Sequence, residues 1–176
     1  LALFACTVLA AEPLRVVSLA PSMSEIMLEL QADDLLVGVL DGGERPAALR
    51  HLPSVGRQGQ LDMERLLSLR PDLLLLWPGS VPPAQRDQLK RLGMATFSAE
   101  PHDISQLIEQ IEAIAGRIGR AEQGHSYARA LRERLQQLRQ QYRRDEPLQV
   151  FYQVWDRPLY TLGGRQVVTD ALAVCG

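Results

Sequence analysis

The stretch LLLLWPGS, Leu73 to Ser80, decides how the chain folds. Four consecutive leucines show no in-out alternation, so a strand made of them must be buried on both faces, as in a parallel sheet covered by helices on each side. Trp77 follows at once, and Pro78 and Gly79 then stop the strand. A large aromatic thus stands at the carboxyl end of a strand, which is where ligands of open α/β sheets sit. Trp77 is expected at the lip of a ligand cleft, with a core tryptophan as the plain alternative.

Elements of alternating kind surround this strand. LRVVSLA (Leu14 to Ala20) reads as a strand closed by Pro21, after which Ser22 and Ser24 offer caps for the helix-like IMLEL. LLVGVL (Leu35 to Leu40) reads as a second strand and DGGERP (Asp41 to Pro46) as a loop. Asp62 caps a short helix, MERLLSLR, that Pro71 stops just before the leucine strand. PPAQRDQLKRLG has proline at a helix start and Gly93 at its end, and MATFSA follows as another strand. Such alternation specifies a largely parallel sheet with helices on both faces.

The next section is different in kind. Ile104, Leu107, Ile108, Ile111, Ala115 and Ile118 recur at helical spacing after the cap candidate Asp103. Ala128, Leu131, Leu135, Leu138 and Tyr142 do so again before Pro147 ends the run. A helix of roughly 20 residues spans about 30 Å, the width of a small domain, and predicts a strut. QVFYQVW (Gln149 to Trp155) then opens new strand material, YTLGG turns, and a helical stretch starts at Gln166. The expected division is residues 1–11 as the remnant of a signal peptide, 12–102 as an N-terminal α/β lobe, 103–146 as a helical region with a long inter-lobe helix, and 147–176 as the start of a truncated second α/β lobe.

Composition bounds the function classes. The 176 residues are 46% hydrophobic and 23% charged with net charge −2, which suits a soluble globular chain and calls for no nucleic acid. Arginines gather between Arg129 and Arg144 but alternate with Glu133, Gln136 and Gln140, as on a solvated helix face. LALFACTVLAAEP has the apolar run and small-x-small tripeptides of a secretory leader, which predicts export, with Cys6 as an alternative lipid anchor. In an oxidising compartment Cys175 is then a disulfide candidate whose partner is expected outside this sequence. His51, His102 and His125 are isolated in sequence and in no metal spacing, and neither G-x-S-x-G nor a phosphate-binding glycine loop occurs. An exported hydrolase is the alternative from a different class; no enzyme is expected.

RVVSLAPSMSE, VGV, the run LDMERLLSLRPDLLLLW, and YTLGG followed by a helix ending AVCG together resemble the periplasmic substrate-binding proteins of the helical-backbone class. The likeness covers about Arg15 to Gly176 and is closest to the cobalamin-binding members. It implies two α/β lobes joined by one long helix, a corrinoid such as cobalamin held between them, an ATP-driven inner-membrane importer as partner, a periplasmic location and a monomer. Haem or an iron siderophore is the alternative cargo; no resident cofactor is implied.

The resemblance also implies roles for particular residues. Trp77 coincides with a cleft-lining tryptophan, and Ser22 sits where the family brings small groups close to the ligand. Two loops that carry aromatic ligand contacts in the cobalamin-binding members have Gly42 and Gln58 here, and Arg45 replaces a second tyrosine. Arg45 or Arg57 is then a candidate partner for ligand carboxylates. Trp155 and Tyr160 are candidate contacts from the opposite wall. Glu64 falls at the position where the family presents an acidic residue to arginines of the membrane permease, while as a bare feature it complements the helix dipole.

Overall fold

The computed structural model describes residues 12–176. The leader and Cys6 lie outside the described residues. In chain order the first half comprises β1 (Val16–Ser18), α1 (Pro21–Glu29), β2 (Leu36–Asp41), β3 (Ser54–Arg57), β4 (Gln60–Leu61), α2 (Met63–Ser68), β5 (Leu73–Leu76), α3 (Pro83–Arg91) and β6 (Thr96–Ser98). These strands form one six-stranded sheet in the order β4-β3-β2-β1-β5-β6. All neighbours are parallel except the β3–β4 hairpin.

The leucine run behaves as its composition requires. Leu73 and Leu75 enter the core on one face of the sheet with Val16, Met23, Met27 and Leu36. Leu74 and Leu76 enter the other with Val17, Leu40, Val55, Leu66 and Leu89. Successive residues of a strand point to opposite faces, so an all-leucine strand satisfies two cores at once. Each buried leucine contributes about 1.5–3 kcal/mol of transfer free energy. Helix α1 supplies Met23 and Met27 to the first face, while α2 and α3 supply Leu66 and Leu89 to the second.

Helix boundaries follow local chemistry in most places. The Asp62 carboxylate accepts the Arg65 amide at 2.9 Å and starts α2. Asp103 accepts the Gln106 amide at 2.7 Å and starts α4 (Ile104–Arg117). At α1 the expected serine cap does not form. Pro21 occupies the first turn, Ala20 is the N-cap residue, and no side chain caps the helix. Ser24 instead turns inward to donate to Ser18 Oγ at 2.8 Å, and Ser22 is left exposed on the first turn.

The second half begins with a helical hairpin of α4 and α5 (Ala121–Gln141). At about 1.5 Å per residue, the 21 residues of α5 span about 30 Å, as the periodicity predicts. The helix starts earlier than its apolar stripe suggests. Gly124 lies in its first turns, where a Cβ would stand 2.3 Å from the Ala115 Cβ, so glycine lets the two helices approach closely. Beyond α5, β7 (Gln153–Asp156) and β8 (Leu159–Thr161) form a separate antiparallel ribbon, followed by α6 (Val167–Val174). Helix α6 is tied back to the hairpin by Asp170, whose carboxylate accepts the Ile104 amide at 2.9 Å.

Candidate functional site

In the sheet order, the chain winds from β1 outward through β2 and β3 on one side and through β5 and β6 on the other. The reversal point lies between β1 and β5, and the loops leaving those two strands must diverge there. One loop carries Ala20, Pro21 and Ser22 into α1; the other is Trp77 to Ser80. A crevice at the carboxyl edge of the sheet follows from this topology alone.

The Trp77 loop is a rigid platform. The Trp77 carbonyl accepts both the Ser80 amide at 2.9 Å and the Ser80 hydroxyl at 2.7 Å. The indole folds back over Gly79, where an added Cβ would come within 2.4 Å of a ring carbon. Trp77 is nevertheless 38% exposed, in contrast to the buried leucines before it. Trp77 is thus a surface aromatic on a fixed turn at the carboxyl edge of β5, and the core alternative is set aside.

Three further expected positions join the same rim. The Ser80 carbonyl accepts the Gly59 amide at 3.1 Å, which ties the Trp77 turn to the turn containing Gln58. The Gln58 amide reaches the Asp41 carbonyl at 3.1 Å, so that turn is also tied to the end of β2. Gly42 closes the circuit by packing on Pro21, whose ring would lie 2.8 Å from a Cβ at that position. Ser22, Gly42, Gln58 and Trp77 therefore lie on one continuous edge. Ser22, Gly42 and Gln58 are exposed, and Trp77 is 38% exposed.

Arg45 stands differently from its expected role. Its guanidinium bonds the Asp41 carboxylate through Nη2 and donates from Nη1 to the Leu52 carbonyl at 2.6 Å. Both arms of its fork are bonded within the chain, and 21% of its side chain remains exposed. Ser54 Oγ donates to the other Asp41 oxygen at 2.6 Å. These bonds, that from Ser54 foremost and that from Arg45 next, hold the Asp41 carboxyl below its ordinary pKa. Arg57 is exposed and donates to Gln60 Oε1 at 3.1 Å. The Asp41, Arg45 and Ser54 cluster escapes a sequence reading because Ser54 is 13 residues from Asp41; an arginine four residues after a strand-terminal aspartate is the only local hint.

Glu64 is exposed in the first turn of α2 and makes no ion pair among the described residues. Trp155 and Tyr160 sit opposite each other in the β7–β8 ribbon and are 64% and 61% exposed. They belong to a different sheet from the rim. Cys175 is exposed and unbridged among the described residues. No group of three metal-ligating side chains occurs among the described residues, and none of their helices is long and apolar enough to cross a membrane.

Residues 16–176 match the family model described as periplasmic binding protein. The chain belongs to the periplasmic binding protein family. The curated Vitamin B12-binding protein of Vibrio cholerae is 31% identical over 162 residues, which is 92% of this chain and 59% of that protein. The crystal structure of the periplasmic Vitamin B12 binding protein BtuF of Vibrio cholerae superimposes with a TM-score of 0.82 at 31% identity, covering 92% of this chain and 64% of that one. A periplasmic haem-binding protein from Pseudomonas aeruginosa superimposes with a TM-score of 0.64 at 35% identity, covering 72% of this chain and 46% of that one. The chain thus spans less than two thirds of the length of these relatives. Its mixed α/β architecture with a parallel-rich sheet is that of this binding-protein family.

Proposed function

We propose that this periplasmic binding protein captures a corrinoid such as cobalamin in a cleft between two lobes and delivers it to an ATP-driven importer of the inner membrane. The observation that carries the reading is Trp77, held half-exposed on a rigid turn at the point where the sheet reverses its winding. A corrinoid is a broad ring system with a polar amide fringe. An indole face beside hydroxyl, amide and backbone groups suits both parts of it, and burial and stacking on the indole would contribute about 1–3 kcal/mol. The resemblance to proteins named for binding Vitamin B12 supports the same cargo.

In this reading the sheet of residues 12–102 is one wall of the cleft and α5 in the 103–146 region is the stiff link. Residues 147–176 open the second wall, where Trp155 and Tyr160 face the cargo. The exposed side chains Val154 and Leu159 of the ribbon, with Val150 and Phe151 just before it, suit a surface on which further strands of that lobe pack. Glu64, exposed on α2, docks on arginines of the permease. The protein works as an exported monomer and performs no covalent chemistry. Haem is the second reading, favoured by the 35% identity to the Pseudomonas haem-binding protein.

Calorimetric titration of the full-length protein with cyanocobalamin and, separately, with haem tests the proposal. Tight cyanocobalamin binding that Trp77→Ala weakens by about five- to 150-fold is expected. Tight binding of haem alone would change the cargo, and silence toward both would remove the tetrapyrrole reading.

A further inference from the structure

We infer that Arg45 is a positioning residue: forked between the Asp41 carboxylate and the Leu52 carbonyl, it holds the rim loop 42–46 in a fixed shape and turns its charge away from the ligand. The inference rests on the carboxyl edge of the sheet being the ligand wall, as proposed above. The loop needs such a device. Gly42 and Gly43 are both exposed, Gly43 has a φ of 101°, and two successive glycines lose much conformational freedom when ordered. A flexible loop at that place would have to be ordered by the ligand at the expense of affinity.

The bonds around Arg45 are arranged to remove that freedom. Asp41 is the last residue of β2 and Arg45 follows four residues later, so their ion pair closes the loop on itself. The second arm of the fork reaches the Leu52 carbonyl at 2.6 Å, which anchors the loop to the segment leading into β3. Ser54, at the start of β3, fixes the far oxygen of Asp41 at 2.6 Å. A planar, bidentate donor suits two acceptors from different segments in a way that a lysine ammonium does not. Gly42, resting on Pro21, then passes the fixed shape of the loop to the start of α1.

A consequence concerns ligand chemistry. An arginine at a binding-site rim would ordinarily select carboxylates, such as those of haem, through the same fork. Here both arms of the fork are satisfied internally, so Arg45 does not supply that selection, and the other charges along the edge are those of Glu44, Arg57 and Asp62.

The test joins two measurements on the full-length protein and its Arg45→Ala, Arg45→Lys and Asp41→Asn variants. The first is the NMR order parameter of the Gly42 to Arg45 amides without ligand. We expect about 0.8 in the wild type and below about 0.6 in Arg45→Ala and Asp41→Asn, with Arg45→Lys between them. The second is cyanocobalamin affinity at a temperature where melting curves show each variant fully folded. We expect Arg45→Ala to bind about three- to tenfold more weakly, Arg45→Lys to recover part of the loss, and the Asp41→Asn, Arg45→Ala double variant to lose no more than either single one. Unchanged order parameters would overturn the inference, as would a mobile loop with unchanged affinity. A variant that fails to fold leaves the lysine variant to decide. If the wild type ignores cyanocobalamin, the corrinoid reading falls, and the order parameters still judge the latch.

Discussion

The turn after β5 and the β7–β8 ribbon each present tryptophan at the surface, and the two exposures mean different things. Around Trp77 the strand is buried on both faces, and the indole is pinned over Gly79 on a turn closed by Ser80. Around Trp155 every residue of β7 and β8 is exposed, so the aromatic shares its condition with its whole neighbourhood. An exposed aromatic is informative when the structure around it is otherwise satisfied. Trp77 therefore carries the argument for a site on its own, and Trp155 and Tyr160 enter only through the resemblance.

The sharpest way to break this contrast is to remove core from each region. Leu74→Ala deletes a fully buried side chain in the middle of the sheet and is expected to cost about 2–5 kcal/mol by urea unfolding. Measured on residues 12–176 alone, in which no further strands cover the ribbon and Val154 is 44% exposed, Val154→Ala is expected to change stability by about 0.5 kcal/mol or less. Comparable losses would show that the ribbon is packed in solution and that the contrast between the two tryptophans is mistaken.

Glycine substitutions sharpen the comparison further. Gly79→Ala forces a methyl into the Trp77 ring, and overpacking of this kind is expected to cost about 1–3 kcal/mol, to shift the tryptophan emission and to weaken ligand. Gly163→Ala, in the turn after β8, meets nothing within 4 Å and should be close to neutral. An emission spectrum unchanged by Gly79→Ala would mean that the indole is not held where the structure places it.

What could be read from sequence divides along the same line of local against non-local causes. The doubly buried β5 was legible because four leucines leave no other strand environment, and Asp62 and Asp103 were legible as caps because a cap acts across three residues. The β3–β4 hairpin was not, since its strands have four and two residues and lack a β-branched run. Its signature is glycine at Gly56 and Gly59, with φ of 112° and 79°. Ser22 was misread as a cap because Pro21 already sets the first turn and the neighbouring Ser24 is drawn inward by Ser18, a contact set by β1. Arg45 looked free to meet a ligand because its partners Leu52 and Ser54-bound Asp41 come together only when β2 and β3 pair. The turns that carry Trp77 and Gln58 are bonded to each other and Gly42 packs on Pro21, and these ties come from chain segments that sequence spacing does not relate.

Helix caps give a smaller test. Asp62→Ala removes the side chain that satisfies the Arg65 amide and should cost about 1 kcal/mol. At α6 the N-cap Gln166 makes no side-chain cap bond, so Gln166→Ala should be neutral within about 0.5 kcal/mol in the same unfolding assay. Equal effects at the two helices would deny that the sheet-bearing region is the better specified of the two.

The finest distinction lies in acid. Asp41 has its carboxyl pKa lowered in the folded protein, by the Ser54 hydroxyl first and the Arg45 guanidinium second. A carboxylate whose folded pKa is depressed contributes stability that is fully present above its unfolded pKa, about 3.9, and is lost as pH falls through the folded value. The latch should therefore hold unchanged from pH 7 to about 5 and release only below about pH 4. Glu112 is lowered as well, by its bonds from Arg132 and His125, so acid loss in the whole protein is not specific to the rim. The difference in melting temperature between the wild type and Asp41→Asn isolates the latch. It should be constant between pH 7 and 5 and shrink toward zero below pH 4. Asp41 is partly open to solvent and Arg57, Glu44 and Asp62 lie along the same edge, so 0.5 M salt should narrow the difference without abolishing it. A difference that did not shrink at all as pH fell below 4 would mean that Asp41 is held by its geometry and not by its charge, and Arg45 would then owe its place to the Leu52 carbonyl alone.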